Sequence, residues 1–497
     1  RKAFDYKKLH PSVLPVLKKV EAGLGIDFIH KENDFTDFLA QKLIPYQRSD
    51  RGPATAIGDL NGDGKDDIFF GGSKGKKASV YIQNPNGFTK KSFSEIEKDS
   101  VFEDASAVIG DFNNDKINDL YVASGGGENA SDLQDRLYVS KNSQFIKSSL
   151  PKLTQNASVV KTFDYDKDGD LDVFIANNSR NNRFGSMPDC YLLNNNKGIF
   201  TIVESKTFEK IGMVTDAVFS DFNKDGKIDI VVVGEWMKPT FFANTKGKFV
   251  DITTTVFPEK SNGLWQSVIP FDIDHDGDED YLVGNWGMNS KFKASQDFPM
   301  KMYYDDFDAN GSFETIVAIE KKGQYYTTLG LDELAEQFSG MLKKKFNSYK
   351  SFAGKKVDEV FDPKMLEKGK LFEVHNLKSG YLKNENGKFT FVPFSNKMQV
   401  APITCFVKSN FDSDHNDEVF AAGNYFGVSP YHSRFDGFSG ALIKNEKTIF
   451  LGNQIGIDLT QKAVRHLDIV NFNGKKYVLI TINNKKAELY EMPSTKK

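Results

Sequence analysis

Acidic and amide side chains recur in this sequence at a spacing that could hold a hard cation. In the first copy, loop positions 1, 3, 5 and 9 carry oxygen side chains, which are Asp59, Asn61, Asp63 and Asp67. The carbonyl of Lys65 at position 7 adds another oxygen, and Gly64 permits the tight turn. Position 12 is Phe70 rather than a bidentate Glu, and no helical pattern flanks the loop, so an EF-hand is disfavoured. The stretch therefore predicts a calcium loop between two β-strands.

Seven copies of this loop predict up to seven bound calcium ions. In each copy the residue at position 7 contributes its backbone carbonyl. The predicted ligands are Asp59, Asn61, Asp63, Lys65 and Asp67; Asp111, Asn113, Asp115, Ile117 and Asp119; Asp164, Asp166, Asp168, Asp170 and Asp172; Asp221, Asn223, Asp225, Lys227 and Asp229; Asp272, Asp274, Asp276, Asp278 and Asp280; Asp306, Asp308, Asn310, Ser312 and Glu314; and Asn410, Asp412, Asp414, Asn416 and Glu418. At position 6 the second copy has Lys116 and the seventh has His415.

Turn chemistry is the alternative explanation for these loops, because Asp and Asn also cap tight turns without a metal. A turn gives no reason for a carboxylate at position 9, and that residue favours the metal interpretation. Calcium is favoured over magnesium because flexible cages of protein oxygens suit calcium, whereas magnesium keeps its waters. Zinc is disfavoured, since the ligand positions hold no His or Cys. The ions are expected to be structural.

The elements around the loops predict an all-β fold. Each loop lies between two apolar runs and is followed by a hairpin, so one repeat corresponds to four strands. The first five loops recur at roughly 50 residues, a period typical of β-propeller blades. A parallel solenoid would need shorter repeats, and a row of sandwich domains would need about 100 residues per module. We therefore expect a β-propeller of four-stranded blades.

The number of blades and the domain boundaries follow from the irregular parts of the chain. Residues 331–369 have helix-like apolar spacing, which predicts a small helical insertion. With that segment set aside, the distance from the fifth loop to the seventh is close to two repeats, which favours eight blades over seven. Residues 1–23 are predicted to be an N-terminal extension and 24–497 the propeller. The last repeat has three strands, so 26–29 is expected to add the fourth and to close the ring between the N- and C-terminal strands.

Composition excludes several classes of protein. The chain has 497 residues, a formal net charge of −3 and two cysteines, which are Cys190 and Cys405 and are expected to be buried thiols. No apolar run is long enough to span a membrane. The first residue is Arg1 rather than Met, which suggests a processed product or a piece of a longer precursor. We expect no nucleic-acid partner, and membrane contact only through an anchor or a partner.

The motif D-x-[DN]-x-D-G-x-x-D followed by an apolar strand resembles the FG-GAP (VCBS) repeat of integrin α-subunit propellers. The segments 233–237, 284–290 and 422–427, which contain Glu-Trp-Met, Asn-Trp-Gly and Asn-Tyr-Phe-Gly, resemble bacterial relatives, of Bacteroidota type, of the cartilage acidic protein family. Such propellers accompany an ASPIC/UnbV domain, and none is visible here, which suggests a fragment or a propeller-only member. The resemblance implies an exported, calcium-loaded binding module on the outer face of a bacterial outer membrane.

Recognition is expected on the face opposite the calcium loops, where long connections link the second and third strands. The candidate ligand-binding residues are Arg183, Trp236, Trp286, Tyr425 and Arg434, since Trp, Tyr and Arg anchor many interfaces. Alternatively, the tryptophans plug the central channel. We expect a non-enzymatic scaffolding subunit that binds proteins in a cell-surface assembly, without catalytic residues. A carbohydrate-binding, lectin-like propeller is the alternative, and a polysaccharide lyase is the enzymatic one.

Overall fold

Strand pairing in the computed structural model shows a β-propeller. The structure describes residues 17–126, 129–180, 183–414 and 416–493. Their strands form eight antiparallel four-stranded sheets, one of which has a short additional strand. In seven of these sheets the first strand packs beside the first strand of the next sheet, and the seventh packs beside the first. These seven inner strands therefore form a closed ring around a central axis.

The blades begin with the apolar runs that flank the loops. From the inner strand outward, the first five are Thr55–Gly58, Asp67–Phe70, Ser79–Asn84 and Gly87–Lys91; Asp104–Gly110, Asp119–Ser124, Arg136–Lys141 and Gln144–Ser148; Asn156–Phe163, Asp172–Ser179, Tyr191–Asn196 and Ile199–Ile202; Met213–Ser220, Asp229–Met237, Thr240–Thr245 and Lys248–Asp251, with Gly263–Leu264 also pairing; and Ser267–Pro270, Tyr281–Gly284, Gly380–Glu385 and Lys388–Pro393. The last two are Ile403–Ser409, Glu418–Gly423, Ala441–Ile443 and Ile449–Leu451; and Val464–Phe472, Lys475–Ile482, Glu488–Glu491 and Lys18–Lys19.

The eighth sheet explains why the repeat spacing favoured eight blades, whereas the described ring has seven. It lies in residues 285–379, between the second and third strands of the fifth blade, and it contributes no strand to the ring. Its strands, in spatial order, are Gln324–Thr327, Glu314–Lys321, Met300–Asp305 and Lys370–Val374. Because the sixth loop, 306–314, connects two strands of this sheet, it has the sequence of a blade without the position of one.

Helices complete this inserted unit, which we define as residues 285–379. They are Leu331–Gln337, Ser339–Lys345, Tyr349–Phe352, Val357–Val360 and Pro363–Lys368, all inside the segment predicted to be helical. Their apolar side chains, among them Leu334, Phe338 and Phe361, form a core with Ile316 and Ala318 of the inserted sheet. The insertion is thus a folded unit of sheet and helices, larger than the helical segment predicted.

Shorter helices lie at the ends of blades and in loops. The α-helices are Asp37–Ala40, Ser94–Lys98 and Thr253–Val256, and the 3₁₀ helices are Gly23–Gly25, Ala130–Leu133, Lys206–Phe208, Asn396–Met398, Pro430–His432 and Gly452–Gln454. Within the described part of the chain, no helix has the length and apolar character needed to cross a bilayer. Cys190 and Cys405 are buried free thiols.

The seventh blade takes its outermost strand from the other end of the chain. Lys18–Lys19 pairs with Glu488–Glu491, so the predicted closing strand at 26–29 lies elsewhere. Ile29 forms only an isolated bridge to Lys486, while Ile26 and Phe28 are buried among residues of the first and seventh blades. Their side chains fill the seam between two blades, which is why this apolar run does not extend a sheet edge. Residues 1–16 of the predicted N-terminal extension lie outside the described residues.

Candidate functional site

Six of the seven acidic loops share one hydrogen-bond pattern. In the first loop, Asp59 at position 1 accepts the N–H of Asp63 on Oδ1 at 3.1 Å and the N–H of Gly64 on Oδ2 at 2.7 Å. The same two bonds, to positions 5 and 6, occur in the loops that begin at Asp111, Asp164, Asp221, Asp272 and Asp306. The position-1 carboxylate therefore stabilises the turn through hydrogen bonds within the loop itself.

The backbone at positions 4 and 6 has the left-handed conformation that favours glycine. Gly62 and Gly64 have φ of 78° and 76° in the first loop. In the second loop, Asn114 and Lys116 adopt φ of 60° and 70° at the same positions. The second loop thus keeps the same backbone geometry without glycine. Its non-glycine residues adopt a left-handed conformation that is unfavourable for them.

The position-9 carboxylate has a structural role that the sequence interpretation missed. Asp67 is fully buried, accepts the N–H of Leu60 at 3.0 Å on one oxygen, and accepts the N–H of Gln83 at 2.8 Å on the other. It therefore joins the loop to the third strand of its blade. The second, third and fifth loops repeat both bonds with Asp119, Asp172 and Asp280. A turn of this kind does use a carboxylate at position 9, so that residue alone does not distinguish metal from turn.

Burial makes these carboxyls costly to ionise without a counter-charge. It raises the pKa of Asp67 and Asp119 to about 6, and it raises the pKa of Asp172, Asp229, Asp280 and Glu314 to about 7. Neighbouring loop carboxylates raise each pKa further, while backbone N–H groups oppose the shift. A cation among the loop oxygens would remove both penalties.

Four loops bring three carboxylate groups to within 4.8 Å of one another. These groups are Asp164, Asp166 and Asp172; Asp272, Asp274 and Asp276; Asp306, Asp308 and Glu314; and Asp412, Asp414 and Glu418. In the fourth loop, Asp229 is fully buried and its Oδ2 has no hydrogen-bond partner. Clusters of hard oxygens suit a calcium ion, and a buried carboxylate oxygen without a donor, such as that of Asp229, suits one as well.

The predicted recognition face is different in character from the loops. Trp236, Trp286 and Tyr425 are only 3%, 1% and 0% exposed, so they belong to the core and offer no ring to a ligand. Their rings cluster around Tyr46: its ring centre lies 4.7 Å from that of Trp286, and its hydroxyl accepts the Trp236 indole N–H at 3.2 Å. The alternative in which the tryptophans are core residues is the one that this packing supports.

The two arginines predicted on that face are exposed and do not meet. The Arg183 guanidinium lies 4.9 Å from the ring centre of Phe313 in the inserted unit. The Arg434 guanidinium lies 5.1 Å from the ring centre of Phe426, within its own connection. Each is therefore held by a local cation–π contact.

Residues 44–52, which we call the strap, cross this face of the ring, and sequence reasoning missed them. Arg48 donates to Ser179 of the third blade, and Arg51 pairs with Glu235 of the fourth at 2.5 Å. Arg51 also donates to Gln266 beside the fifth blade at 2.7 Å. Two further contacts reach the sixth and seventh blades: Tyr425 donates to Asp50 at 2.7 Å, and Arg465 donates to the Asp50 carbonyl at 3.0 Å.

The strap lies over a polar cavity of about 410 Å³ that is lined by inner strands of the ring. Arg51 and Arg465 line it together with Lys161, Asp216 and Asp468. Lys161 and Asp216 are 3.4 Å apart. Burial raises the pKa of Asp468 to about 7, and the charge of Lys161 opposes that shift. Charged side chains from both the strap and the inner strands thus line this cavity.

Two glutamates lie next to the strap, Glu32, which is partly buried, and Glu103, which is buried. Glu32 accepts a hydrogen bond from Asn483 at 2.6 Å, and burial followed by the charge of Asp50 raises its pKa to about 7. Burial and the charge of Glu32 hold the pKa of Glu103 well above its usual range. Neither carboxylate could be placed here from the sequence, because Glu32 and Glu103 lie in segments without a repeat pattern.

Comparison with known proteins agrees with the repeat geometry. The model of the FG-GAP-like repeat matches residues 59–122, 111–175, 164–232 and 221–283. Among curated proteins, no match to the sequence was found.

Solved structures that are similar to this chain are distant in sequence. One is the crystal structure of BBS1N in complex with ARL6DN, with 10% identity, coverage of 98% of this chain and 99% of that chain, and a TM-score of 0.44. Another is that of Saccharomyces cerevisiae Sqt1, with 12% identity, coverage of 91% and 98%, and a TM-score of 0.41. A third is that of the V. cholerae biofilm matrix protein Bap1, with 10% identity, coverage of 96% and 91%, and a TM-score of 0.42. By the match of the repeat model, residues 59–283 contain four FG-GAP-like repeats, which contribute to the first five blades of a β-propeller.

Proposed function

We propose that this chain is a calcium-stabilised, extracytoplasmic scaffold that binds protein partners in a cell-surface assembly. The observation that carries this proposal is the inserted unit, a folded element that the ring does not need for closure. Propeller loops placed on a rigid ring are well suited to recognition, since the scaffold positions them without strain on the core. The two parts of the proposal, calcium and partner binding, are tested separately.

Calcium binding is supported by the shared loop geometry and by the unpartnered Asp229 oxygen. At about 1 mM calcium and a dissociation constant near 10⁻⁴ M, each ion would stabilise the fold by about 1.4 kcal/mol. Several such ions together would contribute as much as the whole stability of a small domain. The loops are therefore expected to serve the scaffold.

The calcium test is thermal unfolding with and without chelation. Addition of EGTA should lower the melting temperature substantially, and re-added calcium should restore it where equimolar magnesium does not. Magnesium is the informative control because the loops offer a flexible all-protein cage. A melting temperature unchanged by EGTA would contradict calcium stabilisation.

Partner binding is supported by a groove on the inserted unit. It has a volume of about 440 Å³ and lies between the inserted sheet and its helices, lined by Tyr303, Tyr325, Leu366 and Leu371 among others. Leu371 is 45% exposed on an edge strand. The helix Ser339–Lys345 of the same inserted unit presents three exposed lysines. A unit with an apolar groove and a basic helix suits a protein segment with apolar and acidic side chains.

The binding test uses two matched surface substitutions. Leu371→Asp should abolish recovery of the stoichiometric complex from native membranes, since it places a charge in the groove. Ile146→Asp is the control, because Ile146 is 51% exposed on the edge strand of the second blade. Equal recovery of the complex with both variants, at unchanged melting temperatures, would exclude the groove as the docking site.

A further inference from the structure

The seventh acidic loop contains a lysine ammonium among its carboxylates. Lys444 Nζ donates to Asp412, lies 2.9 Å from Asp414 Oδ2, and lies 3.3 Å from Glu418 Oε1. These are loop positions 3, 5 and 9, and their ligand atoms lie within 4.8 Å of one another. We propose that the seventh loop is independent of metal, with the Lys444 ammonium in the place that calcium takes in the other loops.

The strand register of the sixth blade places Lys444 beside the acidic loop. Val419, which follows position 9, pairs with Ile443 of the third strand, and Lys444 is the next residue. The same register places Ile82, Val139, Asn194, Ala243 and Lys383 at the equivalent point in the first five blades. Three of these residues are apolar. The first four blades thus have a neutral side chain at this point, and the fifth has a lysine as the sixth does.

Lys383 shows that a lysine at this point does not by itself fill a loop. Its Nζ lies 3.1 Å from Asp274 Oδ2 and 3.5 Å from Glu385, and among the described contacts it reaches no second carboxylate of the fifth loop. Lys444 instead reaches three carboxylates. Its backbone N–H bonds to the Thr448 carbonyl at 3.0 Å, which fixes the hairpin from which the side chain extends.

Position 1 gives a second, independent difference. The other six loops have Asp there, which accepts the N–H groups of positions 5 and 6, whereas the seventh has Asn410. Asn410 Oδ1 instead accepts the N–H of Ser413 at position 4, at 2.5 Å. The seventh loop keeps three carboxylates at positions 1, 3, 5 and 9, as many as the first, second, fourth and sixth loops have. The Lys444 ammonium therefore brings it closer to neutrality without a divalent ion.

The test counts bound ions by native mass spectrometry in calcium, and it rests on the proposed calcium function. Asp412→Asn/Asp414→Asn should leave the number of bound ions unchanged, because the seventh loop holds none. The matched double variant Asp274→Asn/Asp276→Asn should lose one ion. Asn410→Asp/Lys444→Met should gain one, since it restores the pattern of the other loops. Loss of an ion from Asp412→Asn/Asp414→Asn would overturn the inference.

A second measurement separates this inference from calcium binding in general. In EGTA, Lys444→Met should lower the melting temperature, because three carboxylates lose their counter-charge, and Lys227→Met should not. Lys227 is the control because it contacts only Asp225 of the fourth loop. If no variant binds calcium, the proposed calcium function fails, and the EGTA measurement still decides the role of Lys444. An equal melting temperature for Lys444→Met and wild type in EGTA would overturn the role of the lysine.

Discussion

At the scale of single residues, the same carboxylate can have the spacing of a metal ligand and also accept backbone hydrogen bonds that hold a turn. Asp67 was predicted as a metal ligand from its spacing, and the structure shows it bonded to two backbone N–H groups. The spacing was readable because loop position and residue type repeat along the chain. The hydrogen bond from Gln83 to Asp67 could not be predicted, because it depends on how the third strand returns beside the loop.

Glu32 gives a prediction about pH at this same scale. Its folded pKa, about 7, is raised above the usual value near 4.5. A raised carboxyl pKa stabilises the folded state below the unfolded pKa, and that stabilisation is lost as pH rises through the folded value. From pH 5 to pH 8, we therefore expect Glu32 to lower the free energy of unfolding by about 2 kcal/mol. Glu32→Gln should remove this part of the pH dependence.

The measurement is urea unfolding at both pH values in saturating calcium, which keeps the acidic loops in one state. Glu385→Gln serves as the control, since Glu385 is 64% exposed. If the free energy of unfolding changed by the same amount between pH 5 and pH 8 in Glu32→Gln and in wild type, ionisation of Glu32 would not destabilise the fold.

At the scale of elements, the blades were predictable and the strap was not. In six of the seven described blades, apolar runs flank an acidic motif that recurs. The strap has neither, and its partners lie far away in sequence, as in the pair of Arg51 with Glu235. The inserted unit was recognised only through its helical spacing, because its sheet carries a loop like that of a blade.

The pair between Arg51 and Glu235 predicts how firmly the strap is held. Glu235 is only 2% exposed, so Arg51→Met would leave a buried charge without its partner. We expect a loss of about 3 kcal/mol in the free energy of unfolding. The double variant Arg51→Met/Glu235→Gln should lose less, since the stranded charge is removed.

Chemical denaturation measures both variants, with Lys98→Met as the reference. Lys98 pairs with Glu95 on the surface, and such a pair contributes about 0–1 kcal/mol. An Arg51→Met variant no less stable than Lys98→Met would mean that the strap is not held by this pair.

At the scale of the whole molecule, closure joins the two ends of the described chain. The sequence indicated a missing strand in the last blade, because the final repeat supplies only three. It could not identify the partner, since two lysines have no strand pattern, and Lys18–Lys19 is defined by its pairing with Glu488–Glu491. The number of blades could not be predicted either, because the inserted sheet carries the same acidic loop motif as a blade.

A disulfide across the closure should stabilise the ring. Lys18 and Glu491 are paired residues, so Lys18→Cys/Glu491→Cys would link them across nearly the whole chain. We expect a gain of about 3–5 kcal/mol under oxidising conditions, reversed by dithiothreitol. The buried Cys190 and Cys405 should not interfere.

The control disulfide is Asn471→Cys/Lys476→Cys, which joins paired residues of one hairpin and closes a very short loop. Melting temperatures with and without reductant measure both variants. If the two disulfides had the same effect, closure between the chain ends would not limit the stability of the ring.

The same closure has a consequence for biosynthesis. Lys18–Lys19 is made long before Glu488–Glu491, and at about 5–20 residues per second the interval is roughly half a minute or more. During that time the first six blades can form in order, while the seventh waits for its last strand. The unfinished ring therefore exposes a strand edge through which the nascent chain can aggregate. Synthesis of Glu488–Glu491 allows the ring to close and removes that edge.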